Sequence, residues 1–178
     1  MSDKQLIEEI RSGNLDAFSI LMERYQQQVF RMAMGFLHIK EDAEDLTQEI
    51  FIRLYESLHT FHADAAFSTW LYRIALNMSL NQLRKNKKRQ LLQSIESIFN
   101  RDSREKTPLE MLESKERDRE IQAAIDALPE RQRMAFILSR YEELPQKQIA
   151  AIMNRSEGAV EQLLQRANEN LRKRLQTP

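Results

Sequence analysis

No cysteine occurs in this chain, which excludes disulfides, thiolate metal sites and a cysteine nucleophile. Glycine and proline are scarce, at 3 and 4 of 178 residues, and aromatic side chains make up only 7%. Tight-turned sheets need more of all three, so the scarcity excludes a β-rich fold. No long uncharged apolar run is present, so no membrane span is expected. The start, "MSDKQLIEEIRSG", is charged and lacks the apolar core of a signal peptide; we expect a cytoplasmic protein. What remains is rich in Leu, Ile, Met, Gln, Glu and Arg, a composition of helices. Charge is high at 30% but balanced, 27 basic against 27 acidic side chains, which argues against large-scale disorder.

The neutral total conceals a segregated distribution. Residues 1–60 hold 6 basic and 11 acidic side chains, whereas residues 61–89 hold 6 basic and 1 acidic. The asymmetry points to a basic partner for the first part and an anionic one for the second. Alternating solvated charge on long helices is the competing explanation. The stretch "FSTWLYRIALNMSLNQLRKNKKR", Phe67 to Arg89, sharpens the question: it places the only tryptophan on an apolar helix that runs directly into a basic block.

Apolar periodicity predicts an all-α protein. A short helix covers Asp3 to Arg11 and ends at Gly13. Asn14 caps a second helix reaching about Leu37, with Phe18, Leu21, Met22, Tyr25, Val29, Met32, Ala33 and Phe36 inward. A third is expected to start from Asp42 as N-cap, with Ala43, Leu46, Ile50, Leu54 and Leu58 as its stripe. After a loop at His59–Ala66, Ser68 is expected to cap a fourth helix. Residues 91–116, containing Thr107-Pro108, read as a flexible linker. The expected organisation is therefore two small helical domains, residues 1–90 and 117–178, joined by that linker. The second domain holds four helical pieces. Among them "PQKQIAAIMNRSEGAVEQLLQRA" has the features of a helix-turn-helix: Ile149, Ala150 and Ile152 inward, Asn154 at the left-handed turn position, Ser156 as cap, and Val160, Leu163 and Leu164 inward. That pattern leaves Arg155, Ser156, Glu157, Gln162, Gln165 and Arg166 on exposed or entry positions, where Arg and Gln reach base edges or phosphate. A helical hairpin that binds nothing has a similar apolar pattern.

Enzyme chemistry finds little support. The acids Glu41, Asp42, Glu44, Asp45 and Glu49 spread around a helix. One Glu-x-x-His, Glu56 and His59, is present, and with His38, His59 and His62 as the only histidines a second such motif for a di-metal bundle is missing. No Gly-rich phosphate loop is visible. No cofactor is expected.

Taken together, "DAEDLTQEIFIRLYESLHTF", "FSTWLYRIALNMSLNQLRK" and "ALPERQRMAFILSRYEELPQKQIAAIMNRSEGAVEQLL" resemble sigma factors of the extracytoplasmic-function (ECF) group, the two-domain promoter-recognition subunits of bacterial RNA polymerase. The resemblance implies that Asp45, Leu46, Gln48, Glu49 and Phe51 dock on the clamp helices of core RNA polymerase. It implies that the loop at His59–Ala66 and the helix after it read and melt the minus-ten element of promoter DNA. Phe61, Phe67, Trp70 and Asn77 are then candidates for the base side, and Arg73, Arg84, Lys85, Lys87 and Lys88 for the phosphates. Phe67 is expected to be largely core and Trp70 divided between core and surface. Arg155, Ser156, Gln162, Gln165 and Arg166 become minus-thirty-five candidates. An anti-sigma partner is implied as well. The chain departs from the family at Glu161 and Leu163, where basic residues are usual, and at Asn168, where Arg is common. This predicts weak duplex binding without polymerase. Two rivals stand beside the resemblance: a stand-alone helix-turn-helix regulator binding duplex operator as a dimer, and an adaptor whose helices bind only proteins.

Overall fold

A computed structural model describes residues 1–62, 66–99 and 112–176, with the backbone alone described at 93–99 and 112–115. All regular structure among the described residues is helical, as the composition requires. Helix α1 (Asp3–Arg11) is opened by a capping box: the Gln5 amide donates to Ser2 Oγ at 3.3 Å, and Ser2 N donates to Gln5 Oε1 at 2.8 Å. Gly13, at φ 99°, turns the chain where a side chain would be strained. Helix α2 (Leu15–Leu37) follows, its start capped by Asn14, whose side chain accepts from the Asp16 amide.

Helix α3 (Lys40–Ser57) begins two residues before the expected cap. Ile39 is the N-cap and supplies no side-chain bond. Asp42 lies inside the first turn, where its charge still suits the helix start. A 3-10 turn at Leu58–Thr60 occupies the beginning of the expected loop. Helix α4 (Phe67–Phe99) starts one residue before Ser68, which is therefore in the helix rather than its cap. It carries straight through the basic block, because Leu, Gln, Lys and Arg all favour helix.

Helix α4 thus extends into the expected linker, and α5 (Leu112–Asp126) starts within it. The intervening 100–111, including Thr107-Pro108, and the flexibility expected of it lie outside the described residues. Helix α6 (Glu130–Arg140), α7 (Gln146–Met153) and α8 (Glu157–Leu175) complete the chain. Between α7 and α8 the expected turn is present. Asn154 adopts φ 53° and ψ 54°, and Ser156 Oγ accepts from the Ala159 amide at 3.2 Å.

Helices α1 to α4 pack around Leu6, Leu21, Met32, Phe36, Ile50, Leu54 and Leu71, all fully buried. Each such side chain contributes about 1.5–3 kcal/mol relative to exposure. This apolar core does not stop at α4. It continues into Ile137 and Leu138 of α6, Ile149, Ala150 and Ile152 of α7, and Val160 of α8. A second, smaller cluster holds α5 to α8 through Ala124, Ile125, Leu128, Ala167 and Leu171, with Phe136 against it. The helix-turn-helix is therefore packed on the four-helix unit, an arrangement that periodicity alone does not reveal.

Candidate nucleic-acid interface

The aromatic half of the Phe67–Arg89 stretch builds a cluster at the start of α4. Phe67 is edge-on to Tyr25 at 5.5 Å and to Phe61 at 5.7 Å, and Trp70 lies 5.1 Å from Phe61. Phe67 and Phe61 are both buried, while Trp70 is half-buried. Phe67 is thus core, as expected, and Trp70 is divided. Phe61 was expected on the base side but packs inward, so Trp70 is the member of the cluster with an open face. Arg11 reaches from α1 to donate to the carbonyls of Leu58 at 2.9 Å and Phe61 at 2.5 Å. It ties down the chain just before residues 63–65, which lie outside the described set. Sequence reading passed over Arg11, since a basic residue in a last helical turn already has a local explanation.

Along α4, the spacing of Arg73, Asn77, Arg84 and Lys87 places all four on one helix face, with Trp70 at its edge. Lys85 and Lys88 lie to one side of it, exposed. The face is largely exposed, but three of its cations already have partners. Arg73 donates from Nε to Ile152 O at 3.2 Å and from its terminal nitrogen to Ala151 O at 2.6 Å. These carbonyls end α7, where backbone acceptors lack helical partners. Arg84 pairs with both carboxylate oxygens of Glu130 at 2.6 and 2.7 Å. Lys87 approaches Asp126 O at 3.4 Å. Asn77 is exposed but lines a cleft with Arg84, Glu130, Met134, Met153 and Arg155.

On α3, Asp45, Gln48 and Glu49 are exposed and share one face, whereas Leu46 and Phe51 are buried. Leu46 is on the core stripe and Phe51 lies beside it; both are buried and cannot touch a partner without unpacking. The outward face continues instead into Ile52 and Tyr55, 60% and 45% exposed. Ile52 was missed, although an apolar residue off the core stripe was the available signal. Gln48 also borders a shallow groove with Gln26, Gln27, Phe30, Glu44 and Thr47.

On α8, Gln162, Gln165 and Arg166 are exposed on one face, and Arg155 and Ser156 are exposed at its entry. Glu161 stands exposed among them, and Glu157 and Glu169 are exposed on the same helix. Leu163 is half-buried. The face carries more acid than a phosphate-binding helix would.

One buried charge links the two halves. The Glu142 side chain, in the turn between α6 and α7, is fully buried; Oε2 accepts from Tyr72 Oη at 3.0 Å and from Arg31 at 3.2 Å. Its other oxygen, Oε1, has no protein partner. Burial pushes this carboxyl above its ordinary value, opposed by the bonds from Tyr72 and Arg31. The Tyr72 hydroxyl is pushed up in turn, first by burial and then by Glu142. Among the described residues no group of three or more His, Asp or Glu side chains is placed to hold a metal. No helix among them is long and apolar enough to cross a membrane.

Comparison with known proteins agrees with this layout. The Sigma-70 region 2 family model matches residues 21–89, and the Sigma-70, region 4 model matches residues 118–171. The chain is 34% identical to the RNA polymerase sigma-H factor of Pseudomonas aeruginosa, over 98% of this chain and 94% of that protein. It is 33% identical to the ECF RNA polymerase sigma-E factor of Escherichia coli K12, over 99% and 95%. Against the ECF RNA polymerase sigma factor SigW of Bacillus subtilis identity is 32%, over 98% and 97%. Among solved structures, CnrH in complex with the cytosolic domain of CnrY is similar in fold, with TM-score 0.71 and 23% identity over 96% of this chain and 95% of that one. The sigma factor RpoE in complex with the anti-sigma factor NepR from Bartonella quintana gives TM-score 0.62 and 22% identity, over 90% and 97%. With both sigma-70 regions present in order and full-length relatives above 30% identity, the chain belongs to the ECF group of sigma-70 family RNA polymerase sigma factors.

Proposed function

We propose a residue-level division of labour for this initiation factor, which binds core RNA polymerase and directs it to particular promoters. The observation that carries the function is the ordered match of regions 2 and 4 within one chain. In this reading residues 1–90 form the polymerase-binding and minus-ten domain, 91–116 the connection, and 117–178 the minus-thirty-five domain. The outward face of α3, Asp45, Gln48 and Glu49 with Ile52 beside them, docks on polymerase. Its acids suit a basic partner helix. Trp70 supplies the stacking surface for an unpaired base, and Asn77 a hydrogen-bonding edge. Arg73, Arg84, Lys85, Lys87 and Lys88 follow the strand's phosphates. Arg155, Ser156, Gln162, Gln165 and Arg166 meet the minus-thirty-five duplex.

The chain itself catalyses nothing in this reading and works in the cytoplasm with the polymerase. Melting comes from trapping the unpaired strand, whose binding free energy offsets the cost of unpairing. An anti-sigma protein is a further partner, in line with the complexes formed by its structural neighbours.

Co-elution with core polymerase tests the docking face, and permanganate reactivity of unpaired thymines tests the melting face. Asp45→Ala with Ile52→Asp is expected to abolish co-elution in a folded chain. Trp70→Ala with Asn77→Ala is expected to leave co-elution intact and to suppress permanganate reactivity. Full reactivity in the folded Trp70/Asn77 variant would remove the melting assignment.

A further inference from the structure

The two sides of α8 use the same side-chain chemistry differently. On the inner side, Asn170 Nδ2 donates to Gln132 Oε1 of α6 at 2.8 Å, so this amide belongs to the packing. On the outer side Gln162 and Gln165 are exposed, and among the described residues neither amide has a partner. Helical spacing sets them with Gly158 on one crest, opposite the buried Val160, Ala167 and Leu171. Nothing in the fold requires Gly158 to be a glycine. Its φ is not positive, and a Cβ there would meet nothing within 4 Å. Glycine disfavours helix, so a bare position on this crest points to something that approaches from outside the chain.

We propose that Gln162 and Gln165 set sequence specificity, each reading an adenine edge in the major groove of the minus-thirty-five duplex. This rests on the assignment of α8 to that duplex made above. The first residues of a recognition helix meet base edges. A glutamine amide matches adenine at two points: Nε2 donates to N7, and Oε1 accepts from the N6 amino group. Guanine offers two acceptors there, N7 and O6, and leaves Oε1 facing one of them. Gln162 and Gln165 are three residues apart, about 4.5 Å along the helix, close to the base-pair step of about 3.4 Å. The two adenines therefore belong to neighbouring base pairs. Gly158, one turn nearer the helix start, lets the backbone come close to the duplex. Residues 157–165 contain no basic side chain. This end of the helix is thus built for base edges rather than for phosphate, with Arg166 on one flank of the crest and Glu161 on the other.

The test uses the full chain loaded on core polymerase. The probe is duplex DNA randomised over a stretch that holds both promoter elements, and bound molecules are sequenced. Wild type is expected to enrich neighbouring adenines in the upstream motif. Gln162→Arg and Gln165→Arg are each expected to change one of these adenines, a different one, to guanine, because arginine pairs with N7 and O6. Gln162→Ala and Gln165→Ala should relax the same positions, discrimination falling roughly five- to 150-fold. Gly158→Leu should weaken binding to all sequences alike. Circular dichroism and co-elution with polymerase confirm that each variant is folded and loaded. An upstream motif without adenines, or one that both arginine variants leave unchanged, would overturn the adenine reading and keep the minus-thirty-five assignment. An equal loss of affinity on every sequence, with base preference intact, would make the glutamines phosphate contacts and overturn it as well. Unchanged affinity in Gly158→Leu would show that this crest does not enter the groove. A downstream motif with no upstream motif at all would remove the minus-thirty-five assignment itself, and the adenine reading with it.

Discussion

Replacing Gly35 by alanine is expected to have opposite effects on two parts of this molecule. Gly35 lies inside α2, where glycine costs about 1 kcal/mol relative to alanine. That gain applies whether or not the C-terminal helices are docked. The new Cβ, however, would stand 3.0 Å from Ile137 Cγ2 and 3.3 Å from Tyr141. Ile137 is fully buried and β-branched on a helix, so its methyl has little freedom to withdraw. Overfilling of this kind costs about 1–3 kcal/mol and falls only on the docked state. Docking should weaken by roughly five- to 150-fold. Urea unfolding followed through Trp70, the only tryptophan, reports the stability of the α1–α4 unit. In a Glu130→Arg background, where like charge against Arg84 weakens docking, Gly35→Ala should raise that stability more than in wild type, by up to about 1 kcal/mol. In the wild-type background, where docking also supports α1–α4, the gain should be cancelled or reversed by linkage. The comparison is a double-mutant cycle. The same increment in both backgrounds would refute the reasoning, because it would mean that the Gly35 contact carries no docking free energy.

Three other outcomes follow from single residues. The Glu142 carboxyl, raised by burial among Tyr72 and Arg31, holds its proton more tightly docked than undocked. Docking is therefore fully supported below the ordinary carboxyl value of 4.5 and weakened as pH rises through the higher docked value; energy transfer between dyes at Glu23→Cys and Glu169→Cys, both exposed, should rise on acidification from neutral pH, and the part due to Glu142 should be absent in Glu142→Gln. Glu161→Lys should tighten binding to minus-thirty-five duplex and steepen the logarithmic salt dependence by about 1 for the added phosphate contact, as measured by titration with increasing potassium chloride. Arg11→Ala should free the carbonyls of Leu58 and Phe61, lowering permanganate reactivity in open complexes while co-elution with polymerase is unchanged; Arg11→Lys, a point charge in place of a fork, should recover only part.

What the sequence makes legible here is local. Asn14, Asn154 and Ser156 were identifiable as turn and cap residues because their side chains or backbone preferences act within a few positions. Asp42 and Ser68 failed as caps for the same kind of reason. Each sits within two or three residues of the true start, and a polar residue in a first helical turn looks much like one before it. The buried status of Leu46 was readable, since it lies on the same stripe as Ala43 and Ile50. Phe51 sits beside that stripe, so the stripe alone did not mark it as buried. The basic face of α4 was readable as a face, but its contacts with the C-terminal helices were not. Those contacts depend on Gly35, on the carbonyls at the end of α7 and on Glu142. The last stands in "RYEELP", a stretch polar enough to pass for a solvated turn.

The contact between the two halves of the chain is held chiefly by apolar packing. A tight permanent interface buries apolar surface and leaves no polar atom unpaired. Here the buried apolar residues around Ile137 and Ile152 are accompanied by a buried carboxyl that accepts from Tyr72 and Arg31. The Arg84–Glu130 pair, with side chains 60% and 47% exposed, contributes about 0–1 kcal/mol at most. Arg73 on the end of α7 is a good set of hydrogen bonds, but phosphate oxygens would replace its acceptors with stronger ones. The exposed Arg84–Glu130 pair therefore adds little to this contact beside its apolar part. The apolar contacts through Ile137, Leu138, Ile149 and Ile152 set the arrangement, and the buried bonds of Glu142 to Tyr72 and Arg31 fix its register.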